Sequence, residues 1–392
     1  MKGKPILAML TAVLMAVSVL FISLPGAVAE GTTEWAVANK INDGSETVEE
    51  LYELAKKEGS VVFYSISSRS GKVAESFMAQ YPGVTATAYD ISSDELMEKI
   101  TREYDAGIRN ADVIHCKDLD GSVFMEKVQN GIFHNYFPEE ILATISNPEL
   151  TQYSMPLYWE LNQWFYSFDL YDEAPVDSWW DVTREEWRGN LLMQNPIGNM
   201  NYIAVFTSFL QHEDEIRADY EREFGEPLTE YTCGRENAAY ELIYRVLKND
   251  VIFTSSSDEV CESVAGPGVT EKKLGYGASS KIRKNKDNDW TLAPINILPS
   301  TGIPNPNNLY IVNEAPHPNA AKLLVRWMTG EADGQGEGFA PFNTQGGWSV
   351  RDNVPLAEGS TPLSEINYWN FDPMFIYDNI QDMTDFVLTA LN

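Results

Sequence analysis

Cysteine, histidine and positive charge are all scarce in this sequence. Its 392 residues hold three cysteines, Cys116, Cys233 and Cys261, and four histidines, His115, His134, His212 and His317. No histidine has catalytic or zinc spacing, and His212-Glu213 runs into Asp214-Glu215-Ile216 without completing His-Glu-x-x-His. Gly-x-Ser-x-Gly is absent. Ser70-Gly71-Lys72 lacks the earlier glycine of a phosphate loop and has Val73 where Ser or Thr would bind the metal. Carboxylates are too abundant for any pair to mark a glycosidase. The enzyme motifs thus mostly fail, no catalytic residue, cofactor or metal set is assigned, and a secreted enzyme stays the less favoured alternative to a non-enzyme. Lys and Arg number 28 against 58 Asp and Glu, a net charge of −30. Nucleic acid and anionic membranes are poor partners for such a surface. No internal repeat and no low-complexity tract is present.

One long apolar run does occur. Residues 1–29 carry Lys2 and Lys4, an apolar stretch from Ile6 to Leu24, and Ala27-Val28-Ala29. This order predicts an export signal cut after Ala29. A retained membrane anchor is the competing reading, because the run is near spanning length. A lipid anchor is excluded, since the segment has no cysteine. The mature chain is thus expected outside the cytoplasm, where one cysteine pair can form. Cys233–Cys261 is the favoured pair because both lie in the same half, and three reduced thiols are the alternative.

What is present is an alternation of strands and helices, on a scale that suits two domains. After a polar linker over 30–48 come a helix over 48–57 and a strand at Val61–Tyr64. A serine-rich turn follows (Ser65, Ser67, Ser68, Arg69, Ser70, Gly71), then a helix with Val73, Phe77 and Tyr81 at helical spacing. A strand over 84–89 leads to Ser92-Ser93-Asp94-Glu95, which reads as a capping box. A short strand over 112–114 precedes a helix bearing Phe124 and Val128. Such spacing implies parallel strands with right-handed crossovers, whose ligands sit beyond the carboxyl ends of the strands. The loops at 65–70 and 115–118 qualify.

Residues 151–170 are dense in aromatics and read as extended chain crossing between domains. Tyr158 and Trp159 there either stack on a ligand or fill a hinge-side core. Further on, 175–189 reads as a helix over buried tryptophans. A strand over 191–194 ends in Asn195–Asn201 at a second helix start. Another, over 251–254, ends in Ser255-Ser256-Ser257 at a third. A strand over 274–280 runs into the basic stretch 281–286, either a binding patch or a solvated loop. Residues 299–308 read as a loop, 308–312 as a strand, 319–328 as a helix, and the tail from Glu331 as irregular. Strands ending in small polar residues at helix starts recur in both halves. Each such junction offers unpaired amides and partial positive charge to an anion. Simple capping by the serines is the competing explanation.

Several segments in fixed order resemble a known family. They are Glu58-Gly59-Ser60-Val61-Val62-Phe63-Tyr64-Ser65, then Ala111-Asp112-Val113-Ile114, then Trp187-Arg188-Gly189-Asn190 before Asn195-Pro196. Ala315-Pro316-His317-Pro318-Asn319-Ala320-Ala321-Lys322 and Gly347–Val354 follow. Together they resemble the periplasmic iron and organic-ion binding proteins of ABC importers, in the class II solute-binding group. The resemblance implies an α/β fold of type II, two lobes of mixed sheet flanked by helices and joined by crossing hinge strands. It places lobe 1 at 49–155 plus about 300–392, and lobe 2 at 156–299. It also implies a monomer in the periplasm that closes on a small-molecule solute and docks transiently on an inner-membrane ABC permease.

Ferric-ion binders of that family use adjacent tyrosines in the second lobe. This sequence has no Tyr-Tyr pair, and Tyr276 stands alone where one would be expected. The candidate site is instead Ser67, Ser68, Arg69, Lys117, Asp118, Asn199, Asn201, Ser256 and Lys281, with Tyr158 and Tyr276 as its phenols. Hydroxyls, amides and cations predict an anionic or zwitterionic organic solute such as a sugar phosphate, phosphonate or carboxylate. A ferric ion or another cation is the alternative.

Overall fold

The computed structural model describes residues 31–392, so the predicted export signal over 1–29 lies outside the described residues. Among the described residues there are ten strands: β1 (Ser60–Ser65), β2 (Thr85–Asp90), β3 (Val113–Lys117), β4 (Phe133–His134), β5 (Met155–Ser167), β6 (Leu191–Gln194), β7 (Ile252–Thr254), β8 (Leu274–Ala278), β9 (Leu292–Pro294) and β10 (Pro304–Val312). Around them lie α1 (Glu34–Ala38), α2 (Val48–Glu58), α3 (Ser70–Gln80), α4 (Ser93–Asp105), α5 (Glu139–Leu142), α6 (Met200–Ser208), α7 (Glu213–Phe224), α8 (Ala238–Leu247), α9 (Ser257–Ala265), α10 (Lys284–Asn288), α11 (Pro318–Met328) and α12 (Pro373–Leu391).

The strand order is β2-β1-β3-β10-β5-β8-β6-β7, with β4 on β10 and β9 on β5. β2, β1 and β3 are mutually parallel, as are β8, β6 and β7. Between these two parallel groups run β10 and β5, antiparallel to each other and to their outer neighbours. The first part of β5 pairs with β10 and its second part with β8 and β9, so this one strand carries the chain from one half to the other. Each half buries apolar side chains on both faces of its sheet. Phe63 and Val113 face one core of the first half, while Tyr64 and Ile114 face another. In the second half Leu191 and Met193 face one core and Leu192 the other. Alternation along a strand sends neighbours to opposite faces, which is why these runs are apolar throughout.

Local chemistry sets the element ends. Thr47 and Glu50 form a reciprocal capping box at the start of α2, and Gly59 closes that helix at φ 79°. At α4 the predicted capping box does not form: Ser92 takes the N-cap place without a side-chain hydrogen bond. The helix expected at Phe124–Val128 is one π turn. The stretch 175–189 makes two 3-10 turns, Asp181–Thr183 and Glu185–Trp187, rather than an α-helix. Trp179 and Trp180 are fully buried there, and their indole N–H groups donate to the Ser300 and Ile216 carbonyls at 2.8 and 2.9 Å. Tying both indoles to fixed carbonyls holds the chain in tight turns.

Four further expectations are corrected. The polar stretch 30–48 is not a loose linker: Ala36 and Ile41 are buried, and Thr33 donates to Asn313 Oδ1 at 2.7 Å. Residues 304–308, expected as loop, belong to β10, where prolines and asparagines sit beside β5. The tail ends in the nineteen-residue α12, whose Ile376, Met383, Phe386 and Val387 enter the core of the second half, not the first. All three cysteines are free thiols. Cys261 lies in the core against Leu192, whereas Cys233 packs against the core of Leu191 and Met193. The two are on opposite faces of one sheet, so the expected Cys233–Cys261 bridge cannot close.

Candidate functional site

The carboxyl ends of β1, β3, β6, β7 and β8 all open on one cleft of about 270 Å³ between the halves. Its floor is the middle of the sheet. Tyr158, Glu160 and Asn162 alternate along β5 and therefore share a face, and Asn307 of β10 pairs with both Tyr158 and Lys117. The walls are loop-to-helix junctions. From the first half come Ser67, Ser68 and Arg69 at the start of α3. From the second come Asn199 and Asn201 at α6, Ser256 and Ser257 at α9, and Ser280, Lys281 and Arg283 in the 3-10 turn after β8. Three helices of nine residues or more thus turn their amino ends to this space.

Arg69 is pre-positioned. Its Nε donates to Ser67 Oγ at 3.0 Å and one terminal nitrogen donates to the Tyr158 hydroxyl at 2.7 Å. The guanidinium also lies 4.9 and 5.1 Å from the ring centres of Phe342 and Tyr158. Behind it, His115 is fully buried with Nδ1 2.9 Å from Ser65 Oγ. Burial, aided by the Arg69 charge, pushes its imidazole down to about 3.

Glu160 is 5% exposed and forms an ion pair with Lys117 at 2.6 Å. Burial alone would raise its carboxyl, but the Lys117 charge and hydrogen bond, with Arg69 and Ser280, hold it at about 2. Lys281 pairs with Asp258 at 3.1 Å, and burial still lowers it. Arg283 is lowered by burial and then by Arg69. The lining therefore carries Arg69, Lys117, Lys281 and Arg283 against one carboxylate, Glu160, which Lys117 neutralises. Asn162 is 2% exposed and its Nδ2 has no hydrogen-bond partner. Asn201 accepts a hydrogen bond from Asn305 of β10.

Of the residues expected from sequence, Ser67, Ser68, Arg69, Lys117, Tyr158, Asn199, Asn201, Ser256 and Lys281 come together in this cleft. Asp118 and Tyr276 do not line it. Asp118 turns away and accepts the amides of Val123 and Phe124, each at 2.9 Å, capping the π turn. Tyr276 shares its sheet face with Ala278 and Asn162 but lies deeper, sealed 5.2 to 5.8 Å from the rings of Trp164, Trp179 and Tyr202. The stretch 281–286 is no solvated loop: it completes the 3-10 turn and forms most of α10, with Lys281 and Arg283 in the cleft wall. Glu160, Asn162, Ser280 and Arg283 were missed. The signal for the first two was present: polar residues two apart in a strand that is largely apolar.

Residues 44–335 match the family model for bacterial extracellular solute-binding proteins. Comparison with curated proteins gives no match. Among solved structures, iron-bound HitA from Pseudomonas aeruginosa is similar at a TM-score of 0.65 and 14% identity, over 84% of this chain and 99% of that one. AfuA from Actinobacillus pleuropneumoniae, with exogenous fructose-6-phosphate bound, matches at 0.64 and 15%, over 85% and 98%. Apo ferric ion-binding protein A from Pasteurella haemolytica matches at 0.63 and 14%, over 85% and 98%. At such identities the likeness is one of fold, the type II periplasmic-binding-protein fold.

Proposed function

We infer the function from family and cleft together: the chain belongs to the bacterial extracellular solute-binding proteins, and its cleft suits a negatively charged organic molecule. In this reading the protein is the receptor of an ABC importer. It captures its solute between the halves, closes by bending about β5 and β10, and docks as a monomer on a permease of the inner membrane. The periplasm is its place of action, after removal of residues 1–29.

One observation carries the choice of solute. A chain with a net charge of −30 gathers four cations around one cleft, where Glu160 pairs with Lys117 and Asp258 with Lys281, leaving Arg69 and Arg283 without a carboxylate among the described residues. Burial lowers Lys281 and Arg283, so both gain when an anion enters. The helix amino ends and Arg69 would hold a phosphate or carboxylate head. Glu160, Asn162 and Asn307 form a polar row fit for hydroxyls, which favours a phosphorylated or carboxylated polyol. Glu160, and not Asp118, is the cleft carboxylate that would accept the amine of a zwitterion. Ferric ion has less support, despite the iron-binding structures of similar fold. Tyr276 is outside the cleft, Tyr158 is engaged by Arg69, and the Tyr202 hydroxyl donates to the Tyr276 carbonyl at 3.0 Å. No phenolate pair is left to hold a hard cation.

Calorimetric titration tests this with fructose 6-phosphate, fructose and ferric citrate. The phosphorylated sugar should bind one-to-one, at least about tenfold more tightly than fructose, a gap of about 1.4 kcal/mol. Tight binding of iron with equal indifference to both sugars would overturn it.

A further inference from the structure

The solute cleft does not end at its cations. Ser93, Lys117, Asn199 and Asn201 line both the cleft and a groove of about 650 Å³, so the two spaces are continuous. The groove is more than twice the size of the cleft, which holds about 270 Å³. Each half supplies one wall. In the first half Ser93, Met97 and Thr101 stand four apart on α4 and share the face that borders the groove. In the second half Met200 and Ala204 stand four apart on α6, beside Tyr377 and Ile380 of α12.

The chemistry changes along this path. Of the cleft's four cations only Lys117 also lines the groove, and it is already paired with Glu160 at 2.6 Å. The groove's own cations, Arg102 and Lys127, stand against four carboxylates, Asp94, Glu98, Asp120 and Glu126. Arg102 pairs with Glu98 at 3.3 Å, and the Lys127 ammonium donates to the Thr101 hydroxyl at 3.0 Å. A second anionic group would therefore meet surplus negative charge here. Between these charges the walls are apolar: Met97, Met200, Tyr377 and Ile380. Met200 is 43% exposed, although it stands in the first turn of α6 beside the cleft. Methionine is unbranched and polarizable, so it adapts to apolar groups of varied shape. Met97 and Met200 come from opposite halves, so closure would bring both onto whatever the groove holds.

We propose that the solute is bipartite, an anionic polyol head carrying an uncharged alkyl or aryl extension, and that the groove takes the extension. This rests on the reading of the cleft as an anion site and narrows it. The head meets Arg69 and the helix amino ends, and the extension runs past Lys117 and Asn201 to lie between Met97 and Met200. Continuity with the cleft names the occupant, and the groove's carboxylates require that the extension carry no negative charge.

Calorimetry on the whole protein tests this with methyl fructofuranoside 6-phosphate, hexyl fructofuranoside 6-phosphate and hexyl fructofuranoside without phosphate. The hexyl phosphate should bind at least about tenfold more tightly than the methyl phosphate, because its extra carbons leave water. Met97→Ser and Met200→Ser should each shrink that advantage severalfold and leave the methyl phosphate unchanged. Met200 is exposed, so its substitution keeps the test valid if Met97→Ser fails to fold. Arg69→Ala should weaken both phosphates alike. If the methyl phosphate binds and the hexyl phosphate binds no better, this inference alone is overturned, and the groove is only a gap between the halves. An undiminished advantage in both wall variants would also overturn it, as would equal affinity for the hexyl compound that lacks phosphate. Binding of neither phosphate would overturn both this inference and the reading of the cleft on which it rests.

Discussion

Arg69 shows how much one residue can do in this cleft. Its side chain is fixed by Ser67, Tyr158 and Phe342 before any solute arrives, so little rotamer freedom remains to be lost on binding. Arg69→Ala should weaken a phosphorylated or carboxylated ligand by about 1–3 kcal/mol, read by calorimetry. An unchanged affinity would remove it from the site. The neighbouring His115 gives a separate, pH-dependent test. Its folded-state value near 3 lies below the ordinary 6.5, so the folded protein keeps it neutral while the unfolded chain takes a proton. Its contribution to stability is complete above pH 6.5 and is lost as pH falls toward 3, by up to about 1.4 kcal/mol per unit. His115→Gln should flatten the fall in urea midpoint between pH 6.5 and pH 4, and parallel curves would contradict this. Residues such as Ser67, Ser68, Arg69 and Asn201 were legible in the sequence because a strand, a polar turn and a helix start are local patterns. Asp118 and Tyr276 were misplaced because their direction depends on long-range matters. For Asp118 it is a turn that needs a cap, and for Tyr276 it is how Trp164, Trp179 and Tyr202 close around it.

At the scale of elements, β1, β2, α2, α3 and α4 were readable to within a residue or two, since apolar spacing there is regular, whereas β3 runs to Lys117 beyond its expected end at 114 and the short β4 was not foreseen. The C-terminal element was not. Tyr368, Trp369, Phe371 and Phe375 make that tail aromatic without a clear helical stripe, and only the finished core shows what α12 covers. Phe386 is 6% exposed in that core, so Phe386→Ala should cost about 3–5 kcal/mol in urea unfolding. A loss under 1 kcal/mol, small beside that range, would mean that α12 is not part of the core. β10 was missed in part because Pro304, Asn305, Pro306 and Asn307 look like a loop. Their place beside β5 is fixed by pairing, not propensity. The cysteines follow the same rule. Cys261 lies on α9 and Cys233 in the loop before α8, on opposite faces of the sheet. A thiol assay in denaturant without reductant should therefore find three free thiols per chain. One thiol would restore the bridge.

At the scale of the molecule, charge is distributed by function. The surface is strongly acidic, while cations collect where the halves meet. Binding that rests on surplus cations weakens with salt, so solute affinity should fall as ionic strength rises. No helix among the described residues is long and apolar enough to cross a membrane. The two-lobe form was legible because strand and helix alternate in both halves, and because the polar junctions recur. The exact wall of the cleft was not, since it is assembled from eight separate segments that only the sheet order brings together. Native mass spectrometry of the purified protein, repeated after denaturation, tests the identity of the cleft most directly. A one-to-one organic adduct, lost on denaturation and carrying a phosphoryl or carboxyl group, is the predicted result. An adduct with the mass of iron, or of a neutral or cationic molecule bound in the cleft, would contradict it.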